Sequence, residues 1–194
     1  MSFLLADFMG STCSTIKMWC ASDTAEIAFD DVVVPEAALI GPEGSGFLTV
    51  MRNFQTERLA LAAYGAVTAQ IALDESIAYA REREAFGKPL MAFQVTRHKL
   101  ADMATRVLAV RTLVYQVAAR MAAGDEVVAE VSMAKNLAAQ TAVDVTYEAV
   151  QIHGGMGYMR ETLVERLSRD ARLLPIGGGT QEIMKEIIAK RLGF

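Results

Sequence analysis

A mainly α fold, a four-helix-type bundle with a short β remnant at its N-terminus, is predicted by three features of this chain. Long stretches after Gly46 repeat apolar residues at alternating steps of three and four, the period of a packed helix. Short breaks bearing glycine separate those stretches. Ahead of them, Ile27 and Phe29 alternate with Glu26, Ala28 and Asp30, which is the period of a strand. The change of pattern divides the chain into residues 1–40, partly irregular, and residues 41–194, helical.

Residues 1–24 hold Gly10, Ser11, Thr12, Ser14 and Thr15 and no clean period, so they read as loop with one short strand at most. Asp30-Asp31 marks a break, and Val32, Val33 and Val34 form a further extended piece that ends at Pro35. Gly41-Pro42-Glu43-Gly44 is a turn. The first long helix then carries Phe47, Val50, Phe54, Glu57, Leu61, Tyr64, Thr68, Ile71, Glu75 and Ala78 as its expected seam. A second helix carries Leu100, Met103, Val107, Val110, Val114, Val117 and Met121. Gly124-Asp125 breaks it. The third carries Val127, Val131, Ala134, Ala138, Thr141, Val145, Ala149 and Ile152, an alanine-rich seam that lets neighbours approach closely. Gly154, Gly155 and Gly157 end it. A short helix over about Glu161–Arg169 and a last one after Thr180 complete the bundle.

Composition narrows the function. The chain has 194 residues, enough for one large domain or one domain and a remnant, and 53% of them are hydrophobic, enough for a core. Nineteen basic residues against 23 acidic ones argue against nucleic acid as a partner. Cys13 and Cys20 are too few for a disulfide framework and read as reduced thiols of an intracellular protein. No apolar run is long enough to span a membrane, and the first residues lack the basic and apolar regions of a signal peptide. His98 lies between Arg97 and Lys99 and faces solvent; His153 is a packed or capping histidine. Two scattered histidines with no Cys or carboxylate at ligand spacing give no metal site.

Three strings carry the chemistry. Arg81, Arg83 and Lys88 bracket the end of the first long helix. Such cations complement the helix dipole, and a guanidinium can also grip two phosphate oxygens at once. Gln151-Ile152-His153-Gly154-Gly155 can be a glycine cap or a place where backbone approaches a ligand. Gly177-Gly178-Gly179-Thr180 precedes the last helix, with Thr180 as its N-cap and free N–H groups for an electron-rich ligand.

Taken in order, Arg83-Glu84-Ala85-Phe86-Gly87-Lys88-Pro89 with Gln94, Gln151 to Tyr158, and Gly177 to Glu182 resemble the C-terminal half of the acyl-CoA dehydrogenase family. The resemblance covers roughly residues 17–194. It implies a flavin enzyme. Arg83 and Gln94 would meet the diphosphate and adenine side of FAD, with Phe86 packing nearby, and the FAD so contacted belongs to a neighbouring subunit. Gln151 and Gly155 would approach its adenosine part. Thr180 and Glu182 fall on flavin-contacting positions, although the family often has glutamine or asparagine where Glu182 stands.

Many members place the catalytic glutamate in the final glycine loop, where this chain has Gly178. A subset that includes the isovaleryl-CoA and long-chain enzymes uses a glutamate on the first long helix of this domain, in the pattern Glu-Arg-Leu. Thr56-Glu57-Arg58-Leu59 matches it. The resemblance therefore implies Glu57 as the base, raised in pKa by burial on the apolar seam. It implies Arg58 as a residue that holds the CoA portion, and the backbone N–H of Gly178 as a polariser of the thioester carbonyl. Glu57 would take the α-proton while the β-hydrogen leaves as hydride to flavin N5, and electrons would pass to electron-transfer flavoprotein. A homo-oligomer, dimer or tetramer, in bacterial cytoplasm or mitochondrial matrix is the implied setting.

A family member of full length also has an N-terminal helical domain and a middle β-domain. Met18 to Pro35 resembles only the last strands of the middle domain, and residues 1–16 match poorly. The expectation is a truncated form with an incomplete grip on FAD. The alternative is a non-catalytic helical oligomerisation module that keeps the fold without holding FAD.

Overall fold

The computed structural model describes residues 28–194. Cys13, Cys20, Met18-Trp19 and the strand-like start at Ile27 lie outside the described residues. The chain divides between Gly46 and Phe47 into two compact units. In the first, the described residues 28–35 form no strand, and a single 3-10 turn covers Glu36–Ala38.

The second unit is a helical bundle. Helix α1 runs over Gly46–Glu82, α2 over Gln94–Ala122, α3 over Val128–His153, α4 over Leu163–Ala171 and α5 over Gln181–Leu192. Strands β1 (Glu84–Ala85) and β2 (Lys88–Pro89) make a small antiparallel hairpin between α1 and α2. Its loop is Phe86-Gly87, with φ of 54° and 77°. Two consecutive positive φ angles are what a two-residue loop of type I′ demands.

Contacts along the helices give their directions. One core cluster joins Leu73 and Ala80 of α1 to Leu100 and Met103 of α2 and to Val145 and Ala149 of α3. Another joins Ala62 and Ala66 to Val114 and Val117 and to Val131 and Ala134. Hence α1 and α3 run parallel and α2 runs against both. A third cluster packs Ala139 and Ala142 of α3 against Ala171 and Leu174. Helix α3 is central and touches α2, α4 and α5.

The expected seams of α2 and α3 are the buried ones. Leu100, Met103, Val107, Val110, Val114 and Val117 are all buried, as are Val127, Val131, Ala134, Ala138, Thr141, Val145 and Ala149. The seam expected for α1 is a correction. Of its members only Thr68 is buried; Phe47, Val50, Glu57, Tyr64, Ile71 and Glu75 are exposed. The buried face instead carries Arg58, Ala62, Gly65, Ala66, Thr68, Ala69, Ala72, Leu73, Ser76 and Ala80, most of them small. The cause is close helix packing. A Cβ on Gly65 would stand 3.0 Å from the carbonyl oxygen of Ala138, so at this point α1 meets α3 backbone to backbone and small side chains are favoured. Apart from Leu73, the bulkiest apolar residues of α1, Phe47, Tyr64 and Val67 among them, are left on the outer face.

Candidate functional site

The bend between α4 and α5 is built from glycine for steric reasons. Gly178 and Gly179 have φ of 67° and 105°. A Cβ on Gly178 would lie 2.6 Å from Leu61 Cδ1, and one on Gly179 would lie 2.8 Å from Met184 Cε. A side chain at 178 would therefore need a strained backbone and a displaced Leu61. Thr180 caps α5 as expected: its hydroxyl accepts from the Ile183 N–H at 3.4 Å. Glu182 lies in the first turn of α5. Its carboxyl is held below its ordinary pKa by its own backbone N–H, then by the Thr180 hydroxyl, with smaller help from Lys185 and Lys135.

Two cations support this bend from inside. Arg58 is only 4% exposed, and its Nε donates to Gly178 O at 3.0 Å while the guanidinium lies 5.3 Å from the centre of the Phe54 ring. Arg58, expected to hold the CoA portion of a substrate, has its side chain turned into the protein and donates to the bend. Burial lowers its pKa. Lys135 of α3 is 1% exposed, and its Nζ donates to Gly179 O at 2.6 Å. Its pKa is pushed down to about 8, first by burial and then by the charge of Arg58, with Glu182 acting the other way. The neighbouring Asn136 donates to Gln181 O at 3.2 Å and ties down the start of α5. Sequence reasoning passed over Lys135. The available signal was a lone cation in the stretch from Val131 to Ala139, which otherwise bears no charge.

Glu57 stands next to Arg58 and one turn before Leu61, the residue that touches the bend. It is exposed, which corrects the expected burial on an apolar seam. Its Oε1 accepts from Asn53 Nδ2 at 2.6 Å. So the structure brings the helix turn that carries Glu57 against the Gly178 bend, without desolvating the carboxylate within this chain.

The remaining predicted residues gather at the other end of the bundle. Tyr79 stacks on His153 with ring centres 4.2 Å apart, and His153 Nδ1 pairs with Ala149 O at 2.8 Å, so this histidine is packed. The stack joins the end of α1 to the end of α3, and thereby Arg83 to Gln151. Arg83, Gln94, Gln151 and Gly155 are all exposed. Among the described residues, a Cβ on Gly155 would meet nothing within 4 Å, leaving open space above its backbone. Phe86 is 96% exposed at the tip of the hairpin, with its ring edge-on to Phe93 at 6.4 Å. Lys88 sits over the Phe93 ring at 4.3 Å. Arg58 and Tyr79 are roughly six turns apart on α1, about 30 Å, so the predicted residues form two separate groups.

Comparison with known proteins gives the family. A family model described as the acyl-CoA dehydrogenase C-terminal domain matches residues 44–193. An acyl-CoA dehydrogenase of Bacillus subtilis is 46% identical over 171 residues, which are 88% of this chain and 45% of that protein. The mitochondrial long-chain specific acyl-CoA dehydrogenase of Sus scrofa is 40% identical over 172 residues, 89% of this chain and 40% of that protein. The crystal structure of a probable acyl-CoA dehydrogenase from Mycobacterium abscessus superposes with a TM-score of 0.91 at 52% identity, covering 96% of this chain and 50% of that one. The chain spans about half the length, or less, of the curated relatives it matches. With the family model matched over residues 44–193, a curated relative 46% identical and a superposition at a TM-score of 0.91, the chain belongs to the acyl-CoA dehydrogenase family and carries its C-terminal domain.

Proposed function

We propose that this chain contributes to FAD-dependent α,β-dehydrogenation of an acyl-CoA thioester, with Glu57 as the base. The observation that carries the reading is the contact of Leu61 and Arg58 with the tri-glycine bend. It sets the turn of α1 that bears Glu57 beside a bend whose residue 178 has no side chain to offer. The carboxylate of Glu57 takes the α-proton. Asn53 holds one of its oxygens, which restricts where the other can point. The Gly178 N–H polarises the thioester carbonyl and makes that proton acidic. Glu57 is exposed in this chain, so the desolvation that tunes a base near neutral pH has to come from bound substrate and cofactor or from other protein.

The residues present fit FAD. Arg83 and Gln94 offer exposed donors beside the projecting Phe86, suited to a diphosphate and a ring. Gln151 and the open face of Gly155 offer an amide and close backbone approach. Thr180 and Glu182 lie at the first turn of α5. When bound, FAD supplies the acceptor for the β-hydride. Electron-transfer flavoprotein is the proposed acceptor of the electrons. Arg58 acts in this reading as the support of the bend.

The test is Glu57→Gln in a flavin-loaded preparation. Turnover of acyl-CoA should fall by about 10²–10⁴-fold with flavin content unchanged. Retained turnover removes Glu57 from its role. The second reading, a helical association module, is favoured by the bulky apolar residues on the outer face of α1, such as Phe47, Tyr64 and Val67. A purified chain that is colourless and refuses added FAD supports that reading.

A further inference from the structure

Among the described residues, the two cations beneath the bend have no buried acid against them. The charged groups that face Lys135 are Arg58 from α1, which repels it, and Glu182 from α5, which is exposed. An ammonium in such a place is costly, and an apolar side chain of similar length would fill the space at lower cost. What the lysine adds is a hydrogen bond to one peptide carbonyl.

That bond has a geometric consequence. In a trans peptide the C=O and the following N–H point in opposite directions. Arg58 fixes the carbonyl of Gly178, so the Gly179 N–H is turned away from the protein interior. Lys135 fixes the carbonyl of Gly179, so the Thr180 N–H is turned the same way. Among the described residues, the N–H groups of Gly178, Gly179 and Thr180 donate to no backbone or side-chain acceptor. Glycines with φ of 67° and 105° have no side chain to hold such an orientation by packing, so it has to be imposed from below.

We propose that Lys135 is a positioning residue, which with Arg58 fixes the 178–179 and 179–180 peptides and so holds the tri-glycine bend in the shape that presents its free N–H groups, that of the adjoining Gly178 among them, to an electron-rich ligand, the oxygen of a thioester carbonyl. The inference rests on the reading of the reaction given above, and it adds a residue outside the reacting groups. Lys135 touches neither the carbonyl nor the base; it acts through Gly179. Because Lys135 titrates at about 8, the hold should weaken in mildly alkaline solution. Deprotonation changes a charge-assisted bond to a neutral one, which is weaker. Neither Arg58 nor Glu182 changes charge in that range, since arginine stays protonated and Glu182 is held below its ordinary value.

The experiment is nuclear magnetic resonance of the 194-residue chain, with no flavin or substrate. The amide signals of Gly178, Gly179 and Thr180 should shift with pH with a midpoint near 8, and signals at the far end of α3 should not. In Lys135→Met the titration should vanish, and order parameters at 177–180 should drop from about 0.85 to below about 0.6. Lys135→Arg should restore the order without the titration. Should Lys135→Met fail to fold, the titration of the unaltered chain and the Arg variant decide the matter. Signals at 178–180 that neither titrate nor loosen overturn the proposal. Because these readouts need no turnover, a chain that titrates as expected but binds no FAD keeps the positioning role and loses the reading of the reaction.

Discussion

Gly155 and Gly157 stand two residues apart and are glycine for different reasons. A Cβ on Gly157 would lie 2.5 Å from Val150 O and 2.9 Å from Val150 Cα, so the chain's own packing excludes any side chain there. At Gly155 a Cβ would meet nothing, and φ is not in the left-handed region. Gly157→Ala should therefore destabilise the fold by about 1–3 kcal/mol, seen in urea denaturation. Gly155→Ala should stay within about 0.5 kcal/mol of the parent. If the adenosine part of FAD packs against Gly155, that same variant should lose flavin affinity in a titration; an unchanged affinity removes Gly155 from the cofactor site. The string of glycines was legible in sequence as a helix end. Which glycine serves packing and which leaves a face open was not, because that depends on where Val150 and His153 come to lie. Lys135 was illegible for a related reason. Its partner is a carbonyl 44 positions away, and the one local sign, a lone cation in an uncharged stretch, does not say what that cation meets.

The helices differ in how well their seams could be read. In α2 the buried positions are large and apolar, Leu100 through Val117, so hydrophobic spacing and burial coincide. In α1 they diverge, because close approach to α3 admits alanine, glycine and serine and leaves the bulkier residues outside. A rule that follows bulk then selects the wrong face, and it carried Glu57 with it. The hairpin shows a different conflict. Phe86 occupies the left-handed region at φ 54°, which disfavours a residue with a Cβ, yet its ring is almost fully exposed and recovers little by burial. Phe86→Asn would give the Asn-Gly pair that a type I′ loop prefers. It should stabilise the bundle by about 1 kcal/mol, read as a higher Tm. Weaker FAD binding in the same variant would mean that the strained aromatic is kept for a ligand. A lower Tm would mean that the edge contact with Phe93 outweighs the strain.

Across the whole molecule, the separation of the two groups of predicted residues limits how a cofactor can be held. Glu57, Gly178, Thr180 and Glu182 lie near one end of the bundle core, and Arg83, Phe86, Gln94, Gln151 and Gly155 near the other, about 30 Å away along α1. A single FAD bound at the bend cannot also meet the hairpin of the same chain if it is shorter than that span. The hairpin would then serve the cofactor of a second copy, and each complete site would draw residues from two chains. Holding FAD and associating are then linked, because a ligand that binds only the assembled form stabilises it by mass action. Added FAD should shift the chain toward a larger species in sedimentation. Flavin affinity should also rise with chain concentration across the range where association occurs. The combined Arg83→Ala and Gln94→Ala variant should weaken both effects while leaving the helical content intact, since both side chains are exposed. One FAD bound with unchanged affinity to a monomeric chain would show that the bend and its neighbours suffice, and would leave the hairpin without a part in holding the cofactor.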